Sequence, residues 1–263
     1  MLQPAPRSFH VVRPGYCDTI RSVFSYDSNL LTAVTATPQS MADVLRILHA
    51  IDTTCIDGDG LKWFNWLYLQ VTQAVADRVA AGGFADPAWM ASLDVQFANL
   101  YFVALKSSLS GGETPGCWRV LFDSRDHAPA ARVQFAMAGI NAHINHDLAE
   151  AIVRTCQATG TAPDHGGSHY GDFTALNSTL DSLIETAKRE LHVRLLGELL
   201  PPVSRLEDTL ASWGTSAARE SAWLNAEHLW HLRNMPAMAS GFMGMLDGFA
   251  TVIGKTLMVP VPV

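Results

Sequence analysis

Residues 134–153 read QFAMAGINAHINHDLAEAIV. Wound at 3.6 residues per turn, this stretch is apolar around its whole circumference. A helix of that kind has to be covered on every side, so other helices must surround it. Its middle nonetheless carries Asn141, His143, Asn145, His146 and Asp147, five polar groups on seven consecutive positions. A buried polar group without a partner costs roughly 1–3 kcal/mol. These side chains therefore need one another, need other parts of the chain, or serve chemistry. At 100° per residue His143, His146 and Asp147 fall within one arc of about 100°, while Asn141 and Asn145 share a neighbouring face.

The rest of the chain supplies helices to surround that core. Thr37-Pro38 reads as a cap and first-turn proline, followed by Met41, Val44, Leu45, Leu48 and Ile51 at helical spacing. Asp57-Gly58-Asp59-Gly60 breaks the chain. It has the start of a calcium loop without the remaining ligands, and as a turn it ends in an N-cap at Asp59. A long helix is expected from there to about Ala81, with Asn65, Tyr68 and Thr72 on one face. Asp86-Pro87 starts the next helix, to about Ser107, with Asp94 and Tyr101 sharing a face. A Gly/Ser loop over 108–116 and a short helical turn over Trp118–Phe122 lead to the central helix, from about Pro129 to Thr159. Residues 160–171 are irregular, and helix is expected from Asp172 to about Leu200. Further helices are expected over Val203–Trp213, over Ser216–Asn234, and from Pro236 to Met258.

No alternating pattern extends beyond the first 36 residues, which mix Pro, Gly, Ser and β-branched residues. The expectation is an all-α fold. Residues 1–36 form an extended arm, and residues 37–263 form a single helical domain of about seven or eight helices around the buried central one. The last segment, AMASGFMGMLDGFATVIGKTLM, is long enough to span a bilayer. Asp247 in its middle and Lys255 near its end argue against a span. A buried core helix is expected, and a homodimer helix second, with Gly241, Gly244 and Gly248 allowing close approach.

Composition excludes several classes. Of 263 residues 48% are hydrophobic and 16% charged, which excludes a disordered chain. The net charge of −7 comes without any basic run, so nucleic acid is not an expected partner. Cys17, Cys55, Cys117 and Cys156 form no CxxC pair and no disulfide framework. With an N-terminus that lacks an apolar run, this points to the cytoplasm.

Three stretches, WFNWLYLQVT at 63–72, LDVQFANLYFVAL at 93–105 and GINAHINHDL at 139–148, resemble an uncharacterised bacterial family known as a domain of unknown function. Its signature is an Asn-Ala-His-Ile-Asn run followed by Asp-Leu. It maps here onto Asn141, Ala142, His143, Ile144, Asn145, Asp147 and Leu148. The similarity covers most of residues 40–235. It implies an α-helical fold and no established activity.

The chemistry is read from the residues. A histidine and a carboxylate four apart on a helix can share a proton. The leading expectation is an enzyme acting on a small, mostly apolar molecule in a pocket between helices, by isomerisation, elimination or cyclisation, without a cofactor. His143 and Asp147 would be the acid/base pair, with Asp172 and Arg219 as further catalytic candidates. Asn141, Asn145, Asn65, Tyr68 and Trp223 would hold or wall the substrate. A first alternative is a metal-dependent hydrolase or oxygenase, with a divalent ion on His143, His146 and Asp147. A second is a helical ligand-binding module without catalysis. His165 and His169 lie on the irregular loop and either reach the site or are solvated.

Overall fold

The computed structural model describes residues 23–128, 130–196 and 214–259. Among them every regular element is helical. Seven long rods carry the fold: α2 (Met41–Thr54), α3 (Gly60–Ala80), α4 (Pro87–Leu109), the central rod, α9 (Asn177–Leu196), α10 (Thr215–Leu232) and α11 (Pro236–Leu257). The central rod joins α6 (Arg132–Ala142) through a π-helical turn (His143–Asp147) to α7 (Leu148–Thr159). Three seven-residue helices fill the gaps: α1 (Asp27–Ala33), α5 (Gly116–Phe122) and α8 (Ser168–Thr174).

The central rod is surrounded as its sequence requires. α6 packs on α3 and α11, α7 on α4 and α10, and the π turn touches α4, α10 and α11. All but one of the residues from Val133 to Ala149 are buried, Asn145 being the exception. Gly139 lets this packing close, because a Cβ there would run into the Phe64 ring of α3. The rod stops at Gly160, whose φ of 69° is left-handed and suits glycine. The Gln134 side chain ties the start of the rod to the end of α11. Its Oε1 accepts from Ala131 N at 2.8 Å, and its Nε2 donates to the Leu257 and Val259 carbonyls at 2.7 and 2.9 Å.

Several boundaries follow the sequence. Asp59 caps α3 through Leu61 N at 2.9 Å, and Asp86 caps α4 through Trp89 N at 2.9 Å with Pro87 in the first turn. Others differ. The second helix starts at Met41 rather than at Pro38, because Ser40 and Asp43 cap each other: Asp43 N donates to Ser40 Oγ, and Gln39 N and Ser40 Oγ donate to Asp43 Oδ2. The expected arm lies largely outside the described residues, and within it Asp27–Ala33 forms α1. Asp27 Oδ2 accepts from Val23 N and Phe24 N, which holds the preceding turn against the start of that short helix, itself too brief to show a period. Helix α8 begins inside the loop expected at 160–171, and a break separates it from α9. The helix expected over 203–213 lies outside the described residues.

The last helix differs most. Its composition points to the core, but it packs along one face only, through Leu246, Ala250, Gly254 and Leu257. Met238, Met245, Phe249 and Val252 are 57–65% exposed. Only 17% of its most apolar window is buried, and by length and composition it could cross a membrane. Gly241, Gly244 and Gly248 face open space rather than a neighbouring helix. The cause is the inward side chain at mid-helix. Asp247 accepts from Gly116 N at 3.0 Å and Cys117 N at 2.8 Å, which fixes the face α11 turns toward α5 and leaves the opposite face outside.

Candidate functional site

The polar run of the central rod does not continue as an α-helix. Leu148 N–H reaches the His143 carbonyl five residues back, so His143–Asp147 is one π turn. Such turns widen the rod locally and occur often at functional sites. Here the widening lets both flanking histidines reach one carboxylate. Asp147 Oδ2 accepts from His143 Nδ1 at 3.0 Å and from the Trp118 indole Nε1 at 3.0 Å; Asp147 Oδ1 meets His146 Nδ1 at 2.7 Å. In a regular helix adjacent residues do not face one another.

The electrostatics of the three groups differ. Burial would push the Asp147 carboxyl up, but the hydrogen bonds from His143 and His146 outweigh it and hold the group below its ordinary value. It is therefore an anion. Burial lowers His143, and Asp147 only partly offsets that. For His146 burial also opposes charging, yet the bond to Asp147 and the surrounding carboxylates prevail and raise it. At pH 6.5 these directions favour an Asp147 anion with a cationic His146 on one side and a neutral His143 on the other. Neutral His143 gives its Nδ1 proton to Asp147, which leaves Nε2 with a lone pair. That Nε2 is buried and has no hydrogen-bond partner.

His143 lines a small apolar cleft. Phe64, Leu67, Val71, Phe97, Ile140 and Ile144 make its apolar walls, and Tyr68, Thr215 and Arg219 supply polar groups. Phe97 stacks on the imidazole with centroids 3.4 Å apart, and Tyr68 meets it edge-on at 4.6 Å. The Tyr68 hydroxyl is buried without a hydrogen bond, and burial, then the Asp94 charge, raises its pKa well above the ordinary value. A second small cleft shares Tyr68, Phe97 and Arg219 and adds Asp94. Burial pushes the Asp94 carboxyl up to about 7, and its Oδ2 is unpaired.

Arg219 belongs to this site. Its Nε donates to Asn177 Oδ1 at 2.8 Å and its Nη2 to the Phe173 carbonyl at 2.7 Å, while the guanidinium stacks 3.9 Å from the Phe173 ring. Burial pushes it down to about 9, with the Asp181 charge opposing. Both of these bonds go to neutral acceptors, and the charge that acts on the guanidinium is that of Asp181.

Other candidates sit elsewhere. Asn141 Nδ2 donates to the Ala250 carbonyl of α11 at 2.7 Å, and Asn145 Nδ2 to Asn141 Oδ1 at 2.9 Å. This ladder ties the central rod to α11, away from the cleft lining. Asn65 Nδ2 donates to the Leu48 carbonyl at 2.9 Å and joins α3 to α2. Asp172 spends both oxygens on Ala85 N and Asp86 N, at 2.8 and 2.7 Å, at the start of α4; it stands inside α8 rather than at a helix start. Trp223 is fully buried behind the site against Phe173. His165 bridges Glu227 and Glu220 at 2.6 and 2.8 Å, and His169 meets Asp86 at 3.0 Å while stacked on Trp89.

Sequence reasoning misses Trp118 and Phe97 as neighbours of His143, and Asp94 as a neighbour of Tyr68. Asp94 and Tyr101 read as one face of α4, but nothing local links that face to residue 143. Among the described residues the ligand-type atoms that converge are those of Cys117, His146 and Asp247, all within 4.8 Å of one another. Of the metal ligands expected from sequence, His146 alone belongs to that set.

Residues 41–260 match the model of a family of unknown function, DUF5995. No curated protein matches the chain. No solved structure matches it.

Proposed function

Since the chain belongs to this family of unknown function, its chemistry has to be read from its own side chains, and we propose an enzyme that moves a proton on a small, mostly apolar molecule. The observation that carries this reading is the unpaired, buried Nε2 of a neutral His143 beside an apolar cleft. A lone pair withheld from water and from the protein is a general base waiting for a substrate proton. Asp147 positions it, fixing the tautomer through Nδ1 and stabilising the imidazolium that forms when Nε2 takes the proton.

Arg219 receives the oxygen on which negative charge develops, and the Tyr68 hydroxyl is the matching donor. The cleft walls exclude water, which strengthens both interactions. This assembly suits isomerisation, elimination or cyclisation of a compound with one oxygen function on an apolar frame. Asn141, Asn145, Asn65 and Asp172 have no part in it, because each is committed to backbone or to a neighbouring amide.

The experiment is a ligand-observed NMR screen of small apolar ketones, esters and enols against the full chain, followed by turnover assays on the binders. Binding lost in Arg219→Gln, with turnover lost in His143→Gln while binding remains, supports the reading. Binding and no turnover for any compound favours a ligand-binding module. Binders that ignore both substitutions place the site elsewhere.

A further inference from the structure

On the far side of Asp147 from His143, three side chains meet from three elements distant in sequence: Cys117 from α5, His146 from the π turn and Asp247 from α11. We propose that they bind one zinc ion. Their candidate ligand atoms lie within 4.8 Å of one another. Ligands around a tetrahedral zinc stand roughly 3.3–3.8 Å apart, given metal–ligand distances of about 2.0–2.3 Å. Small side-chain rotations therefore close the site.

The donor set is the kind zinc takes: a sulfur, an imidazole nitrogen and a carboxylate oxygen. The surroundings orient each donor. His146 Nδ1 lies 2.7 Å from Asp147 Oδ1, which leaves Nε2 for the metal and reproduces the carboxylate–histidine–metal arrangement. Asp147 is itself held by Trp118 and His143. Asp247 is held by Gly116 N and Cys117 N, one bond to each oxygen, so each oxygen keeps a lone pair. Cys117 is buried with its sulfur beside the Asp247 carboxylate.

Charge supports the same conclusion. Without metal the thiol keeps its proton, because burial and then the Asp147 charge push it up. Zinc replaces that proton and the Nε2 proton of the imidazolium, both of which go to solvent. The thiolate and the Asp247 carboxylate then neutralise the two positive charges of the ion. Three protein ligands leave a fourth position, which water fills. The ion joins α5, the central rod and α11. The ion needs none of the chemistry at the cleft.

The test is to dialyse the purified full chain against chelator, then titrate with Zn²⁺ and separately with Co²⁺. One zinc per chain and a thiolate-to-cobalt charge-transfer band are expected, together with a rise in melting temperature on adding zinc. Cys117→Ser should abolish the band and weaken zinc at least about tenfold, and Asp247→Asn should weaken it to a similar degree. His143→Gln should leave one zinc per chain. Should Cys117→Ser or Asp247→Asn melt early without metal, the cobalt spectrum of the unaltered chain decides alone. No sulfur band in that spectrum, or zinc lost in His143→Gln and retained in Cys117→Ser, overturns the proposal.

Discussion

The Trp118 indole N–H donates to Asp147 Oδ2 at 3.0 Å, the same oxygen that accepts from His143 Nδ1. One carboxylate oxygen is therefore shared between a side chain of α5 and a side chain of its own π turn. The consequence is positional. Asp147 cannot rotate toward either histidine without losing the indole, so the plane of His143 is set by a residue outside the central rod. Replacing Trp118 with Phe keeps most of the ring packing and removes this donor. A hydrogen bond to a buried charge contributes about 1.5–3 kcal/mol. Trp118→Phe should lower stability to urea by that order, and should do so far less in an Asp147→Asn background, where the acceptor is neutral. Equal losses in both backgrounds would assign the effect to packing instead.

A second buried network lies at the start of α3. Arg125 Nε and Nη2 donate to the two Asp59 oxygens at 3.0 and 2.6 Å, and Nη2 also reaches Asp27 at 3.0 Å. Arg125 and Asp59 are almost fully buried. Removing one of them strands a charge, which costs about 3–5 kcal/mol. Arg125→Met should therefore be among the most destabilising single changes in the protein. Adding Asp59→Asn, which keeps an oxygen for the Leu61 cap, should recover a large part of the loss. A double variant as unstable as the single one would show that the cost lies in packing.

These two networks mark how far the sequence can be read. The helices are legible because caps and apolar spacing are local: Asp59, Asp86-Pro87, Gly160 and Pro236 punctuate the chain where the structure does. The importance of 141–147 is legible too, since so many polar groups in an apolar rod demand partners. The identity of those partners is not. Asp147 meets Trp118, Asn141 meets the Ala250 carbonyl, and Asp59 meets Arg125 across 29, 109 and 66 residues. No periodicity encodes such pairings. The π turn is hidden for a different reason. It adds one residue per turn without any glycine or proline to announce it, so a uniform 100° wheel puts Asn141 and Asn145 beside a site from which they turn away. The outward face of α11 escapes the sequence because apolar composition reports the cost of exposure, not whether a neighbour is there to prevent it.

Gly139 tests the contact between the central rod and the cleft wall. Alanine normally stabilises a helix interior by about 1 kcal/mol relative to glycine. Here the added Cβ would meet the Phe64 ring, and overpacking of that kind costs about 1–3 kcal/mol. Gly139→Ala should thus be destabilising against propensity. Because Phe64 lines the cleft beside His143, its displacement should also weaken any cleft ligand. Gly139→Ala with Phe64→Leu should restore stability, as measured by thermal melting. A single variant more stable than the original protein would mean the two helices separate easily at this point.

Asp94 should give stability an alkaline cost. Its folded value stands near 7 against an ordinary value of 3.8, because burial disfavours the charged form. The unfolded chain then releases the proton first, and the folded state loses ground as pH rises from 3.8 to about 7. Each tenfold difference in proton affinity between the two states is worth about 1.4 kcal/mol, so the whole effect is on the order of 4–5 kcal/mol. Asp94→Asn removes the titration. Relative to the unaltered protein the variant should gain steadily between pH 4 and pH 7 and then level off, in urea midpoints converted to free energy. A constant difference across that range would mean that Asp94 ionises normally in the folded state.

The two histidines of the π turn should oppose each other in pH, on either side of one value. His143 is pushed below its ordinary 6.5 by burial. As pH falls through 6.5 the unfolded chain takes up a proton that folded His143 refuses, so stability drops on the acid side. His146 is raised above 6.5, since the hydrogen bond and charge of Asp147 outweigh burial. Its contribution is complete below 6.5 and is lost as pH rises through its folded value. Together they place a stability maximum for this network near pH 6.5, where neutral His143 and cationic His146 flank the Asp147 anion. His143→Gln should flatten the acid limb and spare the alkaline one; His146→Gln should do the reverse. The asymmetry matters for the proposed chemistry, because a base must be neutral where it works. Urea denaturation of the two variants and the unaltered protein, each freed of metal by chelator, at pH 5.5, 6.5 and 8 separates the limbs. An acid limb that survives in His143→Gln would mean that His143 is charged in the folded protein, and its Nε2 would then be a donor and not the base.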